Sequence, residues 1–114
     1  MKRHIENAEH YHWGEGCDGW HLVKTDSLSI IQETMPPKTA EKPHYHKYSQ
    51  QFFYVLQGRL VIKLQNVSYS LAKGEGFHLA PGIQHQIIND SDSSSHFLVI
   101  SEPTTKNDRI EEST

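Results

Sequence analysis

The chain has 114 residues, and its 11 basic and 14 acidic side chains leave a net charge of −3 with histidine neutral. Without a basic block, that balance gives no footing for a nucleic-acid or anionic-membrane partner. No apolar run approaches the ~20 residues of a membrane-spanning helix, the first residues turn polar at once, and the lone Cys17 cannot form an internal disulfide, so one domain in a cytoplasmic, reducing compartment is expected.

In chain order, residues 1–27 carry His10-Tyr11-His12-Trp13 and the turn-rich Gly14-Glu15-Gly16-Cys17-Asp18-Gly19-Trp20-His21. Two tryptophans seldom sit in a flexible tail, so this segment is expected to be an arm that packs on the body of the domain or across a partner. A second metal site from His10, His12 and Cys17 is the lesser alternative. Leu28 to Thr34 reads as a first strand. Turn signals then recur at Met35-Pro36-Pro37-Lys38, Gln57-Gly58, Lys73-Gly74-Glu75-Gly76, Pro81-Gly82 and Asn89-Asp90-Ser91-Asp92. Between them, Leu60, Ile62 and Leu64 alternate with other residues, as do Val67, Tyr69 and Leu71, which predicts half-buried strands. Phe52 to Leu56 and Phe97 to Ile100 are continuously apolar and read as central strands. Asp90 to Ser95 is a polar hairpin loop, and Thr104 to Thr114 a polar tail expected to fray, with Asp108 and Arg109 as an ion pair of no assigned function. Several short strands with no intervening helix predict an all-β sandwich or barrel.

His44-Tyr45-His46, Gln51 and His85 are the candidate metal ligands. Side chains on a strand repeat with period two, so His44 and His46 share a face, and His85 follows the Pro81-Gly82 turn on a distant strand. Three imidazoles and one amide carbonyl can hold one divalent transition ion and leave it one or two open positions, which suits reactivity more than a structural role.

With their neighbours these residues resemble the two motifs of the cupin superfamily. The first motif is His-x-His, four residues, Glu, six residues, Gly; here it runs from His44 and His46 through Gln51 to Gly58, with Gln in place of Glu. The second runs from Gly74-Glu75 through Pro81-Gly82 and His85 to Asn89, with Glu75 for the usual Asp and Ala80 for a usual Pro. The resemblance implies a double-stranded β-helix (jelly roll) with the metal inside one end of the barrel, and a homodimer. A neutral glutamine leaves the ion its full charge, which favours Lewis-acid chemistry and weighs against the dioxygenase members, which carry the carboxylate. Small cupins with three His and one Gln include a family that opens or tautomerises unsaturated uronate sugars.

The expected function is therefore a metal-dependent isomerase, ring-opening or lyase-type enzyme on a sugar, sugar acid or oxo acid, with Zn, Ni, Mn or Fe as the ion. A non-catalytic small-ligand binder or sensor is the alternative, and an Fe(II) dioxygenase the third reading. His78 and Tyr54 are the candidate catalytic residues, His78 because imidazole titrates near neutral pH.

Overall fold

A computed structural model describes residues 1–111. After a short 3-10 turn at Ile5–Asn7 come twelve strands: β1 (Glu9–Trp13), β2 (Cys17–Lys24), β3 (Ser29–Met35), β4 (Thr39–Ala40), β5 (Tyr45–His46), β6 (Gln50–Gln57), β7 (Leu60–Lys63), β8 (Ser68–Leu71), β9 (Gly76–Leu79), β10 (Gln86–Asn89), β11 (Ser95–Glu102) and β12 (Arg109–Ile110). They form the expected all-β double-stranded β-helix. One sheet has the order β1-β2-β3-β11-β6-β9, the facing sheet β4-β10-β7-β8, and β12 pairs with β5 at one end. All the pairings are antiparallel.

Two of the chain's several changes of sheet, between β6 and β7 and between β10 and β11, are fixed by single residues. Gly58 makes the first crossing, with φ of +83°; a Cβ there would also lie 2.7 Å from the Ser94 carbonyl oxygen, so only glycine fits. Asn89 fixes the second crossing from a fully buried position. Its amide donates to the carbonyls of Met35, Pro36 and Ser93, and its oxygen accepts from the Ser91 N–H and hydroxyl.

The core lies between the sheets and is built by alternation. Phe53 and Val55 of β6 and Phe97 and Val99 of β11 point inward to meet Leu60, Ile62, Leu79 and Ile87. Each fully buried side chain of this size contributes about 1.5–3 kcal/mol. The continuously apolar run in β6 is buried on one face only: Phe52 and Tyr54 are each 37% exposed on the other. In β8 only Leu71 is buried, and Val67 and Tyr69 stay exposed because no third layer covers them.

Both ends of the chain differ from expectation. Residues 9–24 do pack on the body of the domain, Trp13 against the core, but as part of it: β1 and β2 extend one edge of the larger sheet, paired from Glu9↔His21 onward. Most of the expected loose tail is tied down as well. Asp108 is buried and residues 109–110 form β12, while residues 112–114 lie outside the described residues.

Candidate metal centre

β5 and the residue before it bring His46 and His44 to one end of the barrel, and Tyr45 between them points away. His44 and His85 face each other across an isolated antiparallel bridge, with backbone N–H to carbonyl distances of 3.0 and 2.8 Å in the two directions. The Gly82 N–H donates to the His46 carbonyl at 2.7 Å, pinning the Pro-Gly turn to the histidine strand. All three imidazoles are buried, and each offers a ring nitrogen within 4.8 Å of the others.

The tautomers follow from the hydrogen bonds. Nδ1 of His44 lies 2.9 Å from the Lys42 carbonyl, that of His85 2.9 Å from the Ile83 carbonyl, and that of His46 3.2 Å from the Asp108 carbonyl. A carbonyl oxygen only accepts, so each Nδ1 carries the proton and each Nε2 keeps a lone pair. Burial also holds all three rings below the usual histidine range, His44 at about 3 and His85 at about 4, so they stay neutral at physiological pH.

Gln51 is buried at the start of β6. Its Nε2 donates to the Ser101 hydroxyl at 3.0 Å, which leaves Oε1 free. Gln51 Oε1 and His85 Nε2 are buried acceptors without a protein partner. Orphaned lone pairs of this kind are costly unless something occupies them, and the donor set fits a borderline divalent transition ion.

A cavity of about 240 Å³ opens over His44, His46 and Gln51, walled by Tyr11, Trp13, Glu33, Glu41 and Arg109. The Tyr11 hydroxyl donates to Glu33 at 2.8 Å. This contact spans three strands, because Tyr11 pairs with Gly19 and Gly19 with Glu33. A Cβ on Gly19 would overlap the Tyr11 ring, so its absence lets the tyrosine cross β2. Burial pushes the Glu33 carboxyl up to about 7 and, together with the charge of Glu33, the Glu41 carboxyl up to about 8. Burial and the neighbouring Glu33 also raise the Tyr11 phenol. Arg109 reaches over the mouth, 4.0 Å from Glu41 and 3.5 Å from His44 Nε2.

The catalytic candidates from sequence fall elsewhere. His78 is exposed on the outer face of β9 and contacts the Gln50 side chain at 2.9 Å. Tyr54 shares that outer face, because Gln51 and Phe53 take the inward positions of β6. Strand alternation left either face open until the register was fixed. Asp108 does not pair with Arg109 either. Its carboxylate accepts from the backbone N–H of Lys47, Tyr48 and Ser49, and Arg109 turns to Glu41 and Glu111. Burial alone would raise the Asp108 carboxyl, but those three N–H groups outweigh it and hold it below its usual range.

Tyr11, Glu33, Glu41 and Arg109 were missed by sequence reasoning. The one available signal was Glu33, a charge on the same strand face as Ile31 and Met35.

Residues 31–101 match the family described as Cupin domain. Polyketide synthase CurC of Streptomyces cyaneus is 30% identical over 64 residues, which are 56% of this chain and 42% of that protein, so the chain spans well under half of that relative. Among solved structures, the polyketide cyclase RemF of Streptomyces resistomycificus superposes with a TM-score of 0.82 at 19% identity, covering 100% of this chain and 87% of that one. A sugar phosphate isomerase of Silicibacter pomeroyi gives 0.79 at 20% identity, with 91% and 76% covered. At such identities these likenesses speak for the fold.

Proposed function

This chain belongs to the cupin domain family, and from that premise we propose that it is a metal-dependent, redox-neutral enzyme acting on a small sugar, sugar acid or oxo acid by isomerisation, ring opening or a lyase-type step. The observation that carries this reading is the convergence of the His44, His46 and His85 ring nitrogens beside a cavity lined by His44, His46, Gln51 and Glu33, with Glu33 accepting from the Tyr11 hydroxyl. A bound divalent ion, Zn, Ni, Mn or Fe, would supply Lewis acidity toward a substrate carbonyl or hydroxyl oxygen.

The chain's own groups do the rest. Glu33 titrates near neutral pH in the metal-free protein and is the proton-transfer residue in this reading. Tyr11 orients it and donates to its ionised form. Arg109 at the mouth attracts an anionic substrate group, and Trp13 and Phe53 supply apolar wall that limits water. That two proteins sharing this fold are a polyketide cyclase and a sugar phosphate isomerase accords with the reading.

The test pairs elemental analysis of untagged protein, wild type beside His46→Ala, with turnover of a panel of uronates, aldose–ketose pairs and β-oxo acids, run with and without oxygen. Oxygen-independent turnover that disappears in His46→Ala and falls in Glu33→Gln is expected. Turnover that requires oxygen and iron would point to the dioxygenase. Ligand-induced thermal stabilisation without turnover would point to the binder.

We also propose that the protein is a homodimer, with the exposed outer face of β6, where Phe52 and Tyr54 stack at 6.4 Å, as its interface. Sedimentation of wild type and Phe52→Glu should give a dimer and a monomer; a wild-type monomer sinks this assignment.

A further inference from the structure

We propose that the outer face of the β1–β2 hairpin carries a second metal site, for one divalent transition ion, built from His10, His12 and Asp18. Period-two alternation on β1 sends Tyr11 and Trp13 into the cavity and His10 and His12 to the opposite face. The register then sets Asp18 directly across from His12. The two imidazoles converge on a single point: His10 Nε2 lies 2.7 Å and His12 Nδ1 2.9 Å from the same oxygen, Asp18 Oδ1. The rings meet edge to face with centroids 4.6 Å apart, and all three donor atoms lie within 4.8 Å of one another.

Two imidazoles and one carboxylate on neighbouring strands form a borderline donor set. It selects Zn, Ni or Cu(II) over Mg and Ca, which prefer oxygen, and three protein donors leave the remaining positions to water. The scaffold is fixed by the antiparallel pairing and by the Trp13 indole N–H, which donates to the Asp18 carbonyl at 3.1 Å. His12, with its side chain 80% exposed, can swing onto an arriving ion without disturbing the core. Cys17, the third ligand expected from sequence, is excluded: it is buried in the core, and its neighbour Asp18 takes that place. The site shares no residue with the inner cluster, so the proposal does not rest on the function proposed for that cavity.

Trp20 gives the site its own reporter, because its ring lies 5.1 Å from that of His10, while Trp13 lines the inner cavity. The experiment uses untagged full-length protein stripped with chelator. It is titrated with Zn²⁺ by calorimetry and with Cu²⁺ while tryptophan fluorescence is followed. Wild type should bind two equivalents of Zn²⁺, falling to one in the His10→Ala/His12→Ala double variant, whose exposed substitutions leave the fold intact by circular dichroism. Quenching by Cu²⁺ through Trp20 should persist in His46→Ala, which touches only the inner cluster. It should lose its outer-site phase, with affinity falling at least tenfold, in the double variant and in Asp18→Asn. A stoichiometry that the double variant leaves unchanged, whether one or two equivalents, overturns the proposal and leaves a hydrogen-bonded surface trio. If the inner cluster fails as a metal site, wild type binds one equivalent and the double variant none, which separates the two readings.

Discussion

Gln51 and Gly19 each control the cavity through a single missing feature, a charge in one case and a Cβ in the other. A carboxylate at position 51 would lower the net charge of a loaded site by one unit and hold a dication more tightly. Gln51→Glu should therefore raise metal affinity and lower turnover; unchanged turnover would refute the argument that the neutral amide matters. Gly19→Ala forces the Tyr11 ring off its path across β2. We expect a loss of about 1–3 kcal/mol in urea unfolding, and turnover as low as that of Tyr11→Phe. If Gly19→Ala unfolds the protein, Tyr11→Phe alone carries the test, and a kcat and pH profile matching wild type would remove the tyrosine from the mechanism.

Among the elements, β5 leans on a residue far along the chain. It has two residues, and its shape is dictated by Asp108, whose carboxylate gathers three successive N–H groups while its carbonyl fixes the His46 tautomer. Asp108→Ala should cost about 2–3 kcal/mol, since hydrogen bonds to an ionised acceptor are the stronger kind, and should weaken metal binding about 10- to 100-fold. Wild-type affinity in that variant would show that the inner cluster is held without the Asp108 clamp. The same elements explain what could be read in advance. His44, His46 and His85 lie at fixed spacings in a chain whose strand alternation is visible, so the meeting of these three imidazoles was legible. Tyr11 and Glu33 meet across three strands and 22 positions, and Asp108 reaches its partners from about 60 positions away. Such contacts depend on strand order and register, which local patterning does not encode. For the same reason the sequence left the face of His78 and Tyr54 open, and the register turns both outward.

The whole molecule should record the cavity in its pH dependence. His44 and His85, at about 3 and 4 when folded against an ordinary 6.5, bind fewer protons folded than unfolded, so their contribution is present above about pH 6.5 and is lost as pH falls toward 3. Glu33 and Glu41, at about 7 and 8 against an ordinary 4.5, bind more protons folded, so stability is lost as pH rises from about 4.5 through 8. Metal-free protein should thus melt highest at about pH 5–6. Metal should flatten the alkaline limb by favouring both carboxylates as anions. A metal-free Tm that climbs steadily from pH 5 to 8 would contradict these assignments. The Asp108 clamp also bears on how the molecule comes into being. During synthesis His46 precedes Asp108 by 62 residues, roughly 3–12 s at about 5–20 residues per second. Throughout that interval the His46 imidazole is not yet locked in tautomer or position, so any ion met early would exchange freely, and a settled donor set would wait for the arrival of residue 108.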